Sequence, residues 1–285
     1  MIVSLLQTNP KFGDVEANLN DAEQTVGETG ADLVVLPELF ATGYLFESTD
    51  DVLALAESIP DGPTVRRIER WARETGATIV AGVAERASSR EAERLYNSAV
   101  VVTPAGWLGT YRKTHLYAEE TLHFTPGDSG FRVWTVADRV GTIYRLGVMV
   151  CFDWLFPESA RALALGGADI VAHPSNLVLP HCPDSMPVRA LENGVFTATA
   201  NRVGTETNSR GSLTFIGRSR ICSPGAAVLA EAPPDIPAVV SAEIDPRAAR
   251  DKRLNPFNDK LESRRPEHYA PNVIPSLSRD LDSLP

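Results

Sequence analysis

The amino-acid sequence repeats one pattern of apolar strands and helices, and this repeat limits the folds that the chain can adopt. The segment GADLVVLPEL covers residues 30–39, and GADIVAHPSN covers residues 167–176. Each is a short, nearly continuous apolar run that ends near a proline, which is typical of a strand buried on both faces of a sheet. Each follows a helical stretch closed by glycine, and another apolar strand precedes each helix.

The correspondence continues further along both halves. The segments WARETGATIVAGVAE and RALENGVFTATANRV both predict a helix followed by a strand, with the strands at residues 77–84 and 195–200. A hairpin follows in each half, because Pro-Ala-Gly at residues 104–106 and Ser-Pro-Gly at residues 223–225 are turn signals. The repeated unit is therefore β-α-β-α-β-β.

Two such units predict two mixed sheets, each covered by helices on one side. Their free faces would bury each other, which gives a four-layer α-β-β-α sandwich with an internal pseudo-two-fold repeat. The chain has 285 residues, of which 43% are hydrophobic, and this is enough for one large core. A doubly wound sheet is the alternative, but LLQTNPKFGD after the first strand is not a glycine-rich phosphate loop, which disfavours nucleotide binding.

Charge and cysteine usage narrow the possible partners and the compartment. The formal net charge is −10, so nucleic acids and anionic membranes would be repelled. No stretch approaches the roughly 20 apolar residues that span a bilayer, and the N-terminus lacks the layout of a signal peptide. The chain has three cysteines, Cys151, Cys182 and Cys222, which do not form a disulfide framework, so we expect a reducing cytoplasm.

Three chemically active side chains follow predicted strands, at the sheet edge where the catalytic groups of parallel sheets gather. Glu38 follows LVVLP, Cys151 follows LGVMV, and Lys113 follows the strand of the first hairpin. Each alone has an ordinary structural explanation. A cysteine among apolar neighbours is usually a core residue, a glutamate after proline often belongs to a turn, and a lysine after a strand is usually solvated.

The lysine is unusual in its context. Lys113 is the only lysine between Lys11 and Lys252, in a chain whose other cations are almost all arginine. Lysine offers a compact point charge that can approach a single oxygen, whereas arginine presents a planar fork. This choice indicates a specific role for the Lys113 charge.

The three residues together support nucleophilic catalysis. Cys151 has no histidine near it in the sequence, so another group must take its proton, and Glu38 is the candidate base. Lys113 and the backbone N–H of Phe152 would stabilise the oxyanion of a tetrahedral intermediate, provided that a helix begins just after the nucleophile.

These residues lie in stretches that resemble the carbon–nitrogen hydrolase, or nitrilase, superfamily. The matching stretches are LPELFATGY at residues 36–44, YRKTHLYAEETLHFTPGD at 111–128, and VMVCFDWLFPESAR at 148–161. Residues 173–204 and 250–269 are also similar to the family, so the resemblance spans nearly the whole chain. The likeness is greatest to archaeal nitrilase-like members.

The resemblance implies a Glu-Lys-Cys triad of Glu38, Lys113 and Cys151. It implies a second glutamate at Glu120, for which the neighbouring Glu119 is the competing choice. The resemblance further implies an enzyme that needs no metal or organic cofactor. It also implies the α-β-β-α sandwich and a homodimer, or a larger assembly, that pairs through the cysteine-bearing faces. We expect residues 1–255 to form the hydrolase domain and residues 256–285 to form a tail that packs on the domain or on a partner subunit.

The residues after the nucleophile bear on the substrate. Typical nitrilases carry Cys-Trp-Glu, whereas Cys151-Phe152-Asp153 is similar to the amidase and carbamoylase branches. The favoured activity is hydrolysis of a small linear amide through a thioester, releasing ammonia and a carboxylic acid. The alternatives are a nitrilase acting on small aliphatic nitriles and an N-carbamoyl amidohydrolase. An inactive binding module and an acyltransferase are the hypotheses from other classes.

Further residues are assigned to the substrate pocket by their place in the chain. Phe152, Trp154, Asn176, Tyr44 and Phe40 follow strand ends that carry the candidate catalytic groups. The resemblance places Cys182 in a loop near the pocket mouth, and Cys222 lies within a strand of the predicted core.

Overall fold

A computed structural model describes residues 1–88 and 93–269 of the chain. It divides into two compact units, one formed by residues 1–251 and the other beginning at residue 252. In the first unit the strands are β1 (Ile2–Gln7), β2 (Leu33–Val35), β3 (Thr78–Ser88), β4 (Glu93–Thr103), β5 (Gly106–Arg112), β6 (Val133–Ala137), β7 (Ile143–Val148), β8 (Ile170–Pro174), β9 (Phe196–Ala200), β10 (Thr205–Asn208), β11 (Gly211–Thr214), β12 (Arg220–Cys222), β13 (Val228–Glu231) and β14 (Ala238–Glu243). Its helices are α1 (Val15–Glu28), α2 (Thr49–Leu55), α3 (Pro63–Thr75), α4 (Glu120–His123), α5 (Pro157–Leu165) and α6 (His181–Asn193).

Two six-stranded sheets carry the predicted repeat. The first has the order β14-β1-β2-β3-β4-β5 and the second the order β13-β12-β9-β8-β7-β6. In each sheet three neighbouring strands are parallel, β1, β2 and β3 in the first and β7, β8 and β9 in the second. A hairpin extends each parallel group on one side, and an antiparallel strand closes it on the other.

Side chains of the parallel strands separate into two packing layers. Leu33 and Val35 of β2 belong to the core between the sheets, whereas Val34 between them faces the helices of the first half. That second core also contains Leu19 of α1 and Trp71 of α3. The alternation follows from the two-residue period of a strand, since successive side chains point to opposite faces.

The two sheets pack face to face, and helices cover their outer faces. Strand β1 lies against β9, and β2 and β3 lie against β8. Helices α1 and α3 cover the first sheet, and α5 and α6 lie on the second. The four-layer α-β-β-α sandwich and its pseudo-two-fold repeat are therefore confirmed. The hairpin of β10 and β11 is an addition to the second half that the repeat did not predict.

The second unit is described up to residue 269. It contains β15 (Arg253–Asn255) and β16 (Asn258–Asp259), which pair antiparallel, and a 3₁₀ turn at Pro266–His268. The rest of the predicted tail, residues 270–285, lies outside the described residues. Over the ranges that are described, no helix is long and apolar enough to cross a bilayer.

Candidate active site

Three strand ends bring Glu38, Lys113 and Cys151 together. Glu38 follows β2, Lys113 directly follows β5, and Cys151 lies three residues beyond β7. Glu38 and Lys113 have no exposed surface, and Cys151 is 5% exposed. Burying two opposite charges and a thiol in one place is costly unless each charge is paired, so the contacts among these groups determine what the site can do.

The ammonium of Lys113 joins two carboxylates. Its Nζ lies 2.7 Å from Oε1 of Glu38 and 2.7 Å from each carboxylate oxygen of Glu120. Glu119, the competing choice, is exposed, and its carboxylate lies 3.4 Å from the guanidinium of Arg210. The structure therefore places Glu120, and not Glu119, against Lys113.

Asn97 of β4 holds both ends of the Glu38–Lys113 pair. Its Nδ2 donates to Oε1 of Glu38 at 2.7 Å, and its backbone carbonyl accepts from the Lys113 N–H at 2.8 Å. The other oxygen of Glu38, Oε2, is buried and has no hydrogen-bond partner among the described residues. This leaves one carboxylate oxygen of Glu38 free to accept a proton.

Two glycines allow the main chain to approach these residues closely. A Cβ atom on Gly82 of β3 would lie 2.4 Å from the Cα of Glu38. A Cβ on Gly127 would lie 2.1 Å from the carbonyl oxygen of Arg112, and the Gly127 N–H donates to the carbonyl of Lys113 at 2.8 Å. Only glycine fits at both positions, since real Cβ contacts do not become this short.

Glu120 is fixed by two further donors. The hydroxyl of Tyr44 donates to its Oε1 at 2.5 Å, and the backbone N–H of Tyr117 donates to its Oε2 at 3.3 Å. Burial raises the pKa of the Glu120 carboxyl, and the Lys113 ammonium opposes that effect. Tyr44, which the sequence assigned to the substrate pocket, thus contacts this carboxylate through its hydroxyl.

The electrostatics of the cluster keep the thiol protonated and the lysine charged. Burial raises the pKa of the Cys151 thiol well above its usual value, the charge of Glu38 raises it further, and Lys113 only partly opposes both. Burial lowers the pKa of Lys113, but the adjacent Glu120 and Glu38 carboxylates outweigh this and raise it overall. A resting thiol of this kind needs a base before it can attack.

Cys151 lies in a sharp turn between β7 and a short 3₁₀ helix at Cys151–Leu155. Its φ angle is +42°, a left-handed conformation that costs energy for any residue except glycine. Asp153 stabilises the turn by accepting from the Val150 N–H at 2.9 Å and from the Tyr111 hydroxyl at 2.7 Å. His173 Nε2 donates to the carbonyl of Cys151 at 2.9 Å.

His173 is suited to this structural contact and not to proton transfer. It is fully buried, and burial lowers its pKa to about 4, so the ring is neutral at neutral pH. Because a carbonyl only accepts, the proton of the neutral ring lies on Nε2. His173 therefore holds the turn at Cys151 in place.

A small cavity opens beside the thiol. It has a volume of about 30 Å³ and is lined by Tyr117, Cys151, Phe152, Trp154, Asn176, Leu177, Val178 and Leu179. The set includes the predicted pocket residues Phe152, Trp154 and Asn176. Both polar atoms of the Asn176 side chain are buried without a partner among the described residues. A neighbouring cavity of about 260 Å³ shares Tyr117 and is bounded by Tyr44 and Glu120.

Two residues lie elsewhere than expected. Phe40 packs against Trp71, with 6.4 Å between ring centroids, in the core between the first sheet and its helices, so its assignment to the pocket is wrong. Cys182 is in helix α6 and not in a loop, and its side chain is fully buried in the main core. Cys222 ends β12 and is buried, as predicted.

The site includes residues that sequence reasoning did not identify. Asn97 and Tyr117 carry no local signal, because one lies in the middle of a strand and the other in a loop. In residues 1–88 and 93–269, no group of three or more His, Cys, Asp or Glu side chains is arranged to hold a metal ion.

Known proteins of similar sequence cover almost the whole chain. The sequence profile described as carbon-nitrogen hydrolase matches residues 2–253. A nitrilase of Pyrococcus abyssi is 50% identical over 270 residues, covering 94% of this chain and 98% of its own. An N-carbamoylputrescine amidase of Arabidopsis thaliana is 31% identical over 90% of this chain and 90% of its own length.

Solved structures with the same fold include amidases. The amidase from Nesterenkonia sp. superposes with a TM-score of 0.75 at 28% identity, covering 94% of both chains. Acrylamide adds to the active site cysteine in a variant of that enzyme. A carbon-nitrogen hydrolase from Helicobacter pylori G27 superposes with a TM-score of 0.81 at 26% identity, covering 94% of this chain and 97% of its own. The chain therefore belongs to the carbon-nitrogen hydrolase family, as its sequence motifs predicted.

Proposed function

We propose that this hydrolase cleaves the carbon–nitrogen bond of a small linear amide through a thioester on Cys151. The observation that carries the proposal is the buried Lys113, which contacts Glu38 and Glu120 beside a protonated thiol. An ammonium held between two carboxylates stays charged, so it can stabilise an oxyanion, and the unpaired Oε2 of Glu38 can take a proton.

The acylation step transfers one proton and exchanges one bond. Glu38 takes the proton of the Cys151 thiol, and the sulfur attacks the amide carbon. Lys113 and the N–H of Phe152 stabilise the oxyanion, since an N–H in the first turn of a helix has no partner within that helix. The carbon–nitrogen bond then breaks, Glu38 returns the proton to the nitrogen, and ammonia leaves a thioester behind.

Deacylation uses the same groups, with water as the nucleophile and the Cys151 sulfur as the leaving group. Glu38, assisted by Glu120, takes a proton from water, and the resulting hydroxide attacks the thioester carbon. The carbon–sulfur bond breaks, the carboxylic acid leaves, and the thiol regains its proton. In this scheme Glu120 mainly orients Lys113.

The lining of the small cavity supports a short substrate. A volume of about 30 Å³ accommodates only a few heavy atoms, and its walls are mostly apolar. The side chain of Asn176 adds one unpaired donor and one unpaired acceptor. A primary amide offers the complementary pair, so we place Asn176 in substrate binding together with Phe152 and Trp154.

Nitrile hydrolysis is the second candidate, and one observation favours it specifically. The chain is 50% identical to a protein described as a nitrilase. The same thiol would add to a nitrile carbon to give a thioimidate, which water converts to the thioester and ammonia. Hydrolysis of an N-carbamoyl compound is the third, supported by the likeness to the N-carbamoylputrescine amidase.

Ammonia release from a matched panel tests these activities. Short amides, the corresponding nitriles and N-carbamoyl amines are offered to the wild-type chain and to Cys151→Ala. We expect the wild-type chain to release ammonia from the amides and Cys151→Ala to release none. Release from nitriles alone would transfer the assignment to a nitrilase. No turnover together with an unreactive Cys151 thiol would indicate a binding module, and product formation that depends on an added amine would indicate an acyltransferase.

We also propose a homodimer that pairs through the cysteine-bearing faces. Exposed apolar side chains on and beside α6 support this pairing, namely Leu155, Leu179, Val188 and Leu191. Sedimentation equilibrium should give twice the monomer mass, and Val188→Glu should reduce the mass to that of the monomer.

We further propose that residues 256–285 pack on the domain or on the partner. Because catalysis needs a reduced thiol, we place the protein in the cytoplasm.

A further inference from the structure

We propose that Glu206 and Arg202 are positioning residues for Glu120 and that they act through Tyr44. The inference rests on the proposed function, because it concerns the carboxylate that holds Lys113. Arg202 and Glu206 form a buried ion pair, with 1% and 7% of their surfaces exposed. Arg202 follows β9 and Glu206 lies in β10, both in the second half of the chain, whereas Tyr44 follows β2 in the first half.

The carboxylate of Glu206 holds the main chain at Tyr44. Its Oε2 accepts from the N–H of Tyr44 at 3.0 Å and from the N–H of Leu45 at 2.7 Å. A Cβ on Gly43, whose φ is +80°, would lie 2.9 Å from Oε1 of Glu206, so the loop can pass this closely only with glycine there.

The guanidinium of Arg202 supports the ring of Tyr44. It lies 4.1 Å above the centroid of Phe215, and Phe215 meets Tyr44 edge to face at 5.9 Å. The ion pair therefore fixes the backbone of Tyr44 through Glu206 and its ring through Phe215. The hydroxyl at the far end of the Tyr44 ring donates to Glu120.

A buried ion pair is a poor means of stabilising a fold, since apolar residues of similar volume are often as good or better. Its value here lies in geometry, because it fixes two consecutive N–H groups next to the residue that contacts Glu120. The titratable groups facing Glu120 are Lys113 after β5, Glu38 after β2, Cys151 after β7, and Tyr44 itself.

The Tyr44 hydrogen bond favours the ionised form of Glu120 and lowers its pKa, in opposition to burial. If Tyr44 loses its position, the pKa of Glu120 rises further. Activity that needs the Glu120 carboxylate is lost as the pH falls through that pKa. The acid limb of the pH profile should then move to higher pH, which a general loss of stability would not cause.

A double-mutant cycle over a pH series tests the inference. The variants are Glu206→Gln, Tyr44→Phe and the combination, with kcat and KM measured on the best amide or nitrile. We expect each single change to lower kcat about tenfold, a typical coupling for residues in one network, with KM within about twofold and the acid limb shifted upward. In the Tyr44→Phe background, Glu206→Gln should have no further effect on kcat or on the acid limb.

Glu57→Gln is the matched control. Glu57 is also a buried carboxylate that accepts two consecutive N–H groups, from Thr64 at 3.0 Å and Val65 at 3.1 Å, but it does not contact the cluster. It should leave the acid limb unchanged. If Glu206→Gln does not fold, Phe215→Leu takes its place in the cycle, with the same expectation.

The outcomes separate this inference from the proposed function. Additive effects of Glu206→Gln and Tyr44→Phe in an active enzyme, or an unmoved acid limb, would overturn the positioning role alone. A wild-type chain that hydrolyses none of the offered compounds would overturn the proposed function, and the positioning role would fall with it.

Discussion

Lys113 Nζ lies 2.7 Å from Oε1 of Glu38, and neither side chain has any exposed surface. With Glu120 at the same distance, one ammonium is held by two carboxylates, so the cluster carries a net negative charge when all three are ionised. Removing the Lys113 ammonium would leave two buried carboxylates uncompensated, and breaking a buried ion pair in this way costs about 3–5 kcal/mol. Single substitutions in this cluster of Glu38, Lys113 and Glu120 should therefore have large effects.

Replacing Cys151 by alanine should abolish both hydrolysis and covalent labelling. Of the three thiols only that of Cys151 lines the small cavity, whereas Cys182 and Cys222 are fully buried. Intact mass after treatment with a substrate-like electrophile is the measurement, and Cys182→Ala and Cys222→Ala are the controls that should still be labelled. An adduct that persists in Cys151→Ala would assign the nucleophile to another residue.

Replacing Lys113 by arginine should leave a folded but nearly inactive protein, although the charge is kept. The fully buried Nζ contacts three carboxylate oxygens as a point charge, a geometry that a planar guanidinium does not reproduce. Losing one oxyanion donor costs about 2.7–4 kcal/mol of transition-state stabilisation, roughly 100- to 1,000-fold in kcat. Lys11→Arg, at an exposed position, is the control. Near-normal turnover of Lys113→Arg would exclude the oxyanion role.

Replacing Glu38 by glutamine should lose both acylation and deacylation, whereas Glu120→Gln should mainly disturb positioning. Glu38 has a buried oxygen without a partner, while both oxygens of Glu120 are already occupied by Lys113 and other donors. Single-turnover kinetics of acyl-enzyme formation distinguish the two variants. Wild-type acylation by Glu38→Gln and slow acylation by Glu120→Gln would mean that the two roles are exchanged.

Replacing Gly82 by alanine should displace Glu38 without touching any charged group. The added Cβ would lie 2.4 Å from the Cα of Glu38, so the backbone has to move. Overpacking of this kind costs about 1–3 kcal/mol of unfolding free energy, and kcat should fall with it. At Gly225 the nearest atom to an added Cβ lies 3.8 Å away, so Gly225→Ala should keep both stability and kcat. Equal behaviour of the two variants would contradict the proposed constraint.

Stability should fall on the alkaline side, in part because of Cys182. Burial raises the pKa of this core thiol well above its usual value, so the folded chain keeps the proton. The retained proton contributes fully to the free energy of unfolding below the unfolded-state pKa of about 8.5. Above that pH the contribution falls by about 1.4 kcal/mol per pH unit. Urea unfolding from pH 8 to 11 should therefore show a shallower decline for Cys182→Ala. An unchanged slope would mean that the thiol ionises in the folded state.

The sequence by itself determined the repeat, the two parallel groups of strands, and the three strand ends that carry Glu38, Lys113 and Cys151. These features are written in local patterns. A continuous apolar run identifies a buried strand, glycine and proline mark its ends, and the carboxyl ends of parallel strands lie at one edge of the sheet. The family motifs fall on the same positions.

Only the tertiary structure decided how the side chains around these residues are turned. Glu119 and Glu120 are neighbours, yet one is exposed and the other faces Lys113. Phe40 follows Glu38 by two residues, yet it packs in the core between the first sheet and its helices. Differences of this kind depend on the rotation of a short turn against its surroundings, which no local pattern records.

Contacts between residues far apart in the chain could not be predicted from the sequence either. Tyr44 and Glu206 lie 162 residues apart and meet because the two halves of the repeat face each other. Asn97 reaches Glu38 from the middle of a neighbouring strand. Hydrogen bonds between buried polar groups require atoms within about 3 Å of each other, and that precision arises only when both sheets pack into one core.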